Sequence, residues 1–340
     1  TSSTLATQNA LGVRNLIING DMRIAQRGTS VSGITTSSGE YYTVDRFGQW
    51  LSDAGTWTHA QDTDVPTGQG FSNSVKLSCT TAKPSLSAGS YYHSKYTIEA
   101  QNLQHLKYGT ANAEKITLSF WVKSNKTGTY ILELEQDDSS KVISQSYTIN
   151  NANTWEKKTL TYDGNTANVI NNDNGRGIHI WFWFAAGSNY TSGTLNTSWN
   201  SRIQANDAVG QVNLADSTSN YINITGLQLE VGTTATDFEY LQYGQQLALC
   251  QRYYQTAVMT FTVGVEGTRN TEIPFPLKVS MRTAPTCTFS GGTASNGAVL
   301  GTPVTNITTE MVCPHVFLGA SGSLQNAEFS GYTFTASSEL

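Results

Sequence analysis

Between residues 19 and 235, apolar and polar residues alternate with a period of two, in short segments separated by clusters of turn-forming residues. Successive side chains of a β-strand point to opposite faces, so this alternation predicts half-buried strands. No helical pattern of useful length interrupts the region. Strands at this spacing are typical of an all-β sandwich or jelly roll. The clearest predicted strands are Ser74–Cys79, Lys115–Lys123, Thr129–Gln136, Trp155–Tyr162, Gly177–Ala185 and Tyr221–Glu230.

The alternation also assigns faces to individual strands. Residues 116, 118, 120 and 122 are apolar and should face the core, as should residues 130, 132 and 134. The segment 177–185 is apolar on both faces, which favours a central strand. In 221–230 the apolar parity slips at Gly226, and a slip at glycine predicts a β-bulge.

One amphipathic segment follows the long β-region. Thr236 and Glu239 have the spacing of a capping box, which predicts a helix starting there. An apolar stripe then repeats at spacings of three and four residues. Either this stripe packs on the sandwich, or it forms a short three-fold seam between subunits. The candidate interface residues on it are Tyr240, Tyr243, Leu247 and Tyr254, with Cys250 in the same stripe.

These patterns predict four parts of the chain. Residues 1–12 are small and polar and should form an N-terminal arm. Residues 13–235 should form the jelly roll, and residues 236–254 a linker helix. Residues 255–340 resume β alternation, but five prolines divide much of this part into short, edge-like strands, so we expect a small C-terminal β-domain.

Composition excludes several classes of partner. Charged residues are 13% of the chain, against about 25% in an average soluble domain. The net charge of −5 and the lack of a basic stripe argue against nucleic acid. No run of 18 apolar residues exists, so we expect no membrane insertion.

The cysteines and acidic turns indicate neither a redox motif nor a metal centre. The cysteines have no CxxC spacing, so we expect free, buried thiols at Cys79, Cys250, Cys287 and Cys313. Aspartate-rich turns near residues 62, 137 and 173 could hold a structural calcium ion, but none matches an EF-hand loop. We expect no cofactor.

Aromatic residues on polar strand faces are the best candidates for a ligand site. The C–H faces of sugar rings stack on tryptophan, while neighbouring polar side chains bind the hydroxyls. If their strands pair, one face would carry the glycan-binding candidates Trp121, Glu133, Glu135, His179, Trp181 and Trp183. The alternative is that these tryptophans fill a second layer under a loop. Further aromatic residues, Trp50, Trp57, Tyr91 and Tyr92, are predicted to lie in loops.

Two carboxylates could also indicate a glycosidase. Glu133 and Glu135 lie roughly 7 Å apart on one strand face. A solvated strand face that ends in an acidic turn is the favoured explanation of these two carboxylates. We therefore predict no catalytic residue.

Several segments resemble bacteriophage tail-fibre and related virion proteins that carry a carbohydrate-binding-module-like jelly roll. They are Arg14–Gly28, Ile222–Gly232 with its continuation to Tyr254, and Tyr332–Leu340. Within the β-region, Ile116–Lys123, Thr154-Trp155 and Ile224–Gly232 resemble framework strands of carbohydrate-binding modules of the family 4/9 type. The resemblance implies the jelly roll and, by analogy, a sugar ligand.

The resemblance also implies a biological role. It predicts a tail fibre or receptor-binding appendage, exposed on the virion as a homotrimer beside other virion proteins. Such a protein attaches to host-surface glycans without catalysis. Two alternatives are a structural or decoration protein of capsid or tail with the same fold, and a polysaccharide depolymerase.

Overall fold

A computed structural model describes residues 14–265, 271–296, 298–305, 307–318 and 325–340. The predicted arm at residues 1–12 lies outside them. The chain is all-β and divides into two compact units, residues 1–241 with Leu340, and residues 242–339. Within the described residues, no helix is both long enough and apolar enough to cross a membrane.

The first unit is the predicted jelly-roll sandwich of two antiparallel sheets. Its six-stranded sheet has the order β1-β4-β5-β13-β7-β10, and its seven-stranded sheet the order β12-β9-β8-β11-β6-β3-β2. One helical turn, α1 (Ser188–Thr191), follows β11. The strands are β1 (Ser30–Ile34), β2 (Ser37–Glu40), β3 (Gly48–Ser52), β4 (Thr56–Asp62), β5 (Ser74–Thr81), β6 (Tyr91–Glu99), β7 (Ile116–Ser124), β8 (Gly128–Gln136), β9 (Lys141–Ile149), β10 (Glu156–Tyr162), β11 (Arg176–Ala186), β12 (Asn200–Ser201) and β13 (Tyr221–Val231).

The core lies between the two sheets, where the alternation predicted it. Phe120 of β7 and Phe182 of β11 meet edge to face with ring centroids 5.3 Å apart. The predicted inward residues of β7 and β8 are fully buried; they are Ile116, Leu118, Phe120, Val122, Tyr130, Leu132 and Leu134. Burial of such side chains contributes about 1.5–3 kcal/mol each before entropy is counted.

The bulge in β13 is confirmed. The register with β7 shifts between Thr225 and Gln228, and Gly226 has a φ of +62°. A Cβ at this glycine would lie 2.5 Å from the ring of Phe71. The extra residue restores core parity, so that Ile224 before it and Leu227 after it are both buried.

One face prediction is wrong because β7 and β8 do not pair. Although they are consecutive, β7 belongs to the six-stranded sheet and β8 to the seven-stranded sheet. Trp121 therefore lies on a different outer face from Glu133 and Glu135. The three-residue connection between the strands crosses from one sheet to the other.

The predicted helix exists but is shorter. Helix α2 spans Tyr243–Gln251 and is capped by Gln242 and Gln245, not by Thr236 and Glu239. The Thr236 hydroxyl donates instead to Glu230 at 2.5 Å. The backbone N–H of Glu239 donates to Gln228 Oε1 at 2.8 Å.

Consequently, the apolar stripe is not one helical face. Tyr240 precedes the helix, Tyr254 begins the next strand, and Tyr243 is exposed. Leu247 is half-buried, and the residues that the helix buries are Gln246, Cys250 and Gln251. Their role at a subunit interface stays a prediction.

The second unit contains α2 and two small sheets. One has the order β14-β20-β17; in the other, β19 pairs with β15, β16 and β18. All four cysteines are free thiols, and Cys287 is the one that is only half-buried. The strands are β14 (Tyr254–Val265), β15 (Thr271–Glu272), β16 (Phe275–Pro276), β17 (Thr286–Ala294), β18 (Ala298–Thr305), β19 (Met311–Leu318) and β20 (Gln325–Ser337).

Candidate functional site

The outer face of the seven-stranded sheet carries a band of aromatic and charged side chains. In the register of the sheet, Trp181 of β11 lies opposite Glu133 of β8 on one side and Lys95 of β6 on the other. Trp183 lies opposite His93, which in turn lies opposite Trp50 of β3. Directly opposed residues of neighbouring strands are in contact distance, so these side chains form one continuous surface.

A segment that we call the flap, residues 187–208, covers part of this face. It is joined to the sheet by the bond from Ser144 N–H to the Asn196 carbonyl, at 2.6 Å. Within the flap, Arg202 donates to Asp207 at 2.8 Å. Trp183 and Ile131 are fully buried beneath it together with Ala208. The alternation placed these residues on an outward face, but the flap gives that face a second apolar layer.

An open cavity of about 460 Å³ remains between the flap and the sheet. Its size falls within the roughly 300–1,000 Å³ usual for small-molecule sites. It has a buried floor of tryptophan and histidine and a partly exposed rim of Trp50, Tyr91, Tyr190 and polar flap residues. We call it the aromatic cavity; its lining residues are Trp50, Tyr91, His93, Trp181, Trp183, Tyr190, Arg202 and Gln204.

The rings of the cavity are packed closely, some of them nearly in parallel and others tilted. The planes of His93 and Trp50 are 12° apart at a centroid distance of 5.8 Å. His93 also contacts Trp181 at 4.4 Å and Trp183 at 4.7 Å. Trp181 and Trp183 stack at 6.2 Å. The result is a preformed aromatic surface bordered by polar groups.

Glycine explains how Trp50 can lie flat on the sheet. A Cβ at Gly48 would lie 2.8 Å from the Trp50 ring, and one at Gly39 would lie 2.7 Å from it. The indole therefore occupies space that any larger residue at these positions would fill. Neighbouring backbone thus fixes the orientation of the rim ring before a ligand arrives.

Two cations border the floor of the cavity. The Lys95 Nζ atom lies 4.4 Å from the Trp50 centroid and 4.9 Å from that of Trp181, and the Arg202 guanidinium lies 4.7 Å from Trp181. These are cation–π distances. Burial lowers the pKa of Lys95 to about 8. Burial, and then the charges of Lys95 and Arg202, hold the pKa of His93 well below its usual range, so the imidazole is neutral at pH 7.

Several buried donors of the cavity have no protein partner. The indole nitrogens of Trp181 and Trp183 and Nδ1 of His93 form no hydrogen bond with the described residues. Leaving a buried donor unsatisfied costs about 1–3 kcal/mol, so such groups usually bind water or a ligand.

Three of the predicted ligand residues do not line the cavity. The Glu133 carboxyl is fully buried, accepts a bond from the Ser144 hydroxyl at 3.0 Å, and has a pKa raised by burial and then by Asp207. Glu135 lies 3.8 Å from Arg202. His179 is buried between Thr97 and Asp137, at 2.8 and 2.9 Å. Glu133 and Glu135 belong to β8, beside the floor, and His179 belongs to the floor strand β11 itself.

The remaining candidates divide between the two outer faces. Trp181 and Trp183 lie in the cavity as its floor, whereas Trp121 is half-buried on the six-stranded sheet. Trp50 and Tyr91 were expected in loops but lie in β3 and β6, as Trp57 and Tyr92 lie in β4 and β6. The sequence did contain a signal for β6, since its residues alternate between two faces. One face carries Tyr91, His93 and Lys95, and the other carries Tyr92, Tyr96 and Ile98. In the described part of the chain, no group of three or more His, Cys, Asp or Glu side chains is arranged to hold a metal ion.

No protein-family model matches the sequence, and no curated protein matches it. Among solved structures, the chain is similar to the enzymatically active domain of tailspike protein 4 of bacteriophage CBA120, with 15% identity over 64% of this chain and a TM-score of 0.32. The match covers 21% of that tailspike chain.

Two further similar structures are smaller. A family 11 carbohydrate-binding module from Clostridium thermocellum, in complex with a β-1,3-1,4-mixed-linked tetrasaccharide, has 12% identity over 61% of this chain and 99% of its own, with a TM-score of 0.28. A xylan-binding domain of module family 22 has 14% identity over 58% of this chain and 99% of its own, with a TM-score of 0.30. Because these values are low, the function is argued from the site.

Proposed function

We propose that this protein binds glycans in the aromatic cavity and that it serves as a receptor-binding part of a virion appendage. The observation that carries glycan binding is the partly exposed aromatic surface of the cavity, bordered by Arg202 and Gln204 of the flap. The C–H face of a pyranose ring stacks on Trp50 and the exposed parts of Tyr91 and Tyr190. The polar flap residues Arg202 and Gln204 bind its hydroxyl groups.

The lining residues favour binding over hydrolysis. Glycosidases use two carboxylates on either side of the scissile bond, and none of the described residues that line the cavity carries a carboxylate. Glu133, one of the two predicted carboxylates, is fully buried and holds its proton more tightly than usual. A binding module is therefore the better proposal than a depolymerase.

The virion part of the proposal rests on the resemblance of the segments Arg14–Gly28, Ile222–Gly232 and Tyr332–Leu340 to tail-fibre proteins. In this proposal the protein is a homotrimer, and its binding sites act together on a bacterial surface. Avidity then raises the effective affinity of sites that are individually weak.

The test is a binding assay against an array of bacterial lipopolysaccharides and capsular polysaccharides. We expect the native chain to bind at least one of them and the Trp50→Ala variant to bind it more weakly at unchanged melting temperature. If the array gives no binding, or if Trp50→Ala binds as well as the native chain, this function is wrong.

A further inference from the structure

The outer face of the six-stranded sheet has its own groove, about 250 Å³ in volume, beside Trp121. We call it the Trp121 groove. It lies on the side of the sandwich opposite to the aromatic cavity, because β7 and β11 belong to different sheets. Its volume is below the roughly 300–1,000 Å³ of sites that enclose drug-sized ligands, so it suits a single sugar ring.

The wall of the groove is a built structure. The rings of Phe71, Phe238 and Tyr240 contact one another at centroid distances of 4.9–5.6 Å. The Tyr240 hydroxyl donates to the Gln69 carbonyl at 2.6 Å, which joins the wall to the loop before β5. Phe71 rests on the bulge glycine, Gly226.

Buried polar groups hold the segment that closes the groove. Gln228 is fully buried, and its side chain accepts from the Glu239 N–H at 2.8 Å and donates to the Asp237 carbonyl at 3.2 Å. Glu230 accepts from the N–H of Thr236 at 3.0 Å. The backbone of residues 236–239 is therefore held against the sheet.

The groups that face a ligand in this groove are unpaired. Lys157 of β10 lies directly opposite Trp121 of β7, so both side chains leave the same face of the sheet. Lys157 and Asp237 are exposed, and neither forms an ion pair or side-chain hydrogen bond with a described residue. The Trp121 indole N–H also has no described partner. The Trp121 ring therefore has an unpaired N–H of its own, and the unpaired Lys157 ammonium and Asp237 carboxylate line the same groove.

We propose that the Trp121 groove is a second glycan-binding site, which takes one neutral pyranose ring. The ring stacks on Trp121, while Asp237 accepts hydrogen bonds from its hydroxyl groups and Lys157 donates to them. One positive and one negative group leave no net charge to favour an acidic sugar. With sites on both outer faces, one subunit can bind two glycan chains, or two parts of a branched chain.

The test follows the seven tryptophan indole N–H signals by ¹⁵N NMR. The ligands are the methyl glycosides of glucose, galactose, mannose and N-acetylglucosamine, and the acidic methyl glucuronide. The concentration of each is raised well above about 1 mM, so that a site with a Kd of that order is saturated. We expect at least one neutral glycoside to move the Trp121 signal saturably. The Trp155 signal is the internal control, since Trp155 lines neither site and donates to Asp64 at 3.0 Å.

Three variants separate this site from the aromatic cavity. Trp50→Ala should leave the Trp121 response intact, whereas Lys157→Ala and Asp237→Asn should each weaken it. Trp121→Ala should weaken binding of the responding sugar to this site by about 5- to 150-fold, taking the scale of base–aromatic stacking, at unchanged melting temperature.

The proposal fails on any of four outcomes. They are no Trp121 shift with any neutral glycoside, a stronger response to the glucuronide, a shift shared by Trp155, and a shift abolished by Trp50→Ala. A silent aromatic cavity beside a responding Trp121 would refute the proposed function of the cavity but not this second site.

Discussion

Lys95, which is buried, and Trp50, which is half-buried, form a cation–π pair, with Nζ 4.4 Å from the indole centroid. Because burial lowers the pKa of Lys95 to about 8, the pair should lose its charge at mildly alkaline pH. We expect tryptophan fluorescence to change with a midpoint near pH 8. Lys95→Met should abolish the transition and Lys95→Arg should remove it from this range; the same midpoint in Lys95→Met would contradict the assignment.

The same lysine also affects stability. Its folded pKa lies below the ordinary value of 10.5, so between about pH 8 and 10.5 the unfolded chain binds the proton that the folded protein has lost. Its contribution to the free energy of unfolding should therefore rise with pH in this window and be lowest below about pH 8. Urea unfolding of the native chain and of Lys95→Met, compared across the window, isolates this contribution.

The rim and floor of the aromatic cavity should respond differently to truncation. Trp50→Ala should weaken glycan binding by about 1–3 kcal/mol, on the scale of ring stacking on bases, with little change in stability. Trp183→Ala should lower the free energy of unfolding by about 3–5 kcal/mol, because its ring is fully buried beneath the flap. Calorimetric melting of both variants tests this; a destabilised Trp50→Ala would assign Trp50 to the core.

Glu133 should destabilise the folded protein at neutral pH. Its folded pKa is raised above 4.5 by burial and by Asp207, so the folded protein keeps a proton that the unfolded chain releases. The stability contribution is present below about pH 4.5 and is lost as pH rises through the folded value. Glu133→Gln should flatten this slope and be more stable than the native chain at pH 7. Measurements below pH 4.5, where residue 133 is neutral in the folded and the unfolded chain, are the control. Equal pH slopes of the free energy of unfolding in the native chain and in Glu133→Gln would refute the prediction.

The trimer is predicted from the resemblance alone, and the mass of the protein in solution tests it directly. Light scattering at micromolar concentration should give three times the chain mass of 36.8 kDa. If the half-buried Leu247 lies in the seam, Leu247→Asp should dissociate the subunits before it unfolds them. Val169→Asp, at a residue that is 66% exposed in the first unit, is the matched control. A stable monomer of the native chain would reject the trimer.

Most of the fold could be predicted from alternation because strand periodicity is a local property. The bounds of β7, β8 and β13 differ from the prediction by one residue at one or both ends, and the bulge at Gly226 follows from one change of parity. That β7 and β8 lie in different sheets could not be predicted, since a short connection does not determine whether two strands share a sheet.

The candidate site was predicted only in part. Alternation showed that Trp181 and Trp183 share a face, but not that the flap would cover it, because parity does not reveal what packs on a strand. Trp50 was missed as a strand residue because β3 has five residues of mixed polarity, Gly48–Ser52. The cavity combines residues of β3, β6, β11 and the flap, and only tertiary structure brings these together.

The flap lines the cavity, while other residues form the hydrophobic core of the sandwich, so these two roles belong to different parts of the chain. It is a single continuous segment, and it supplies Tyr190, Arg202 and Gln204 to the cavity while the sandwich core lies between the sheets beneath it. Exchange of residues 187–208 between related chains would change the lining of the cavity and, apart from the two-residue edge strand β12, leave the strands of the sandwich in place. Such an arrangement lets the lining of the cavity diversify by recombination of one short segment.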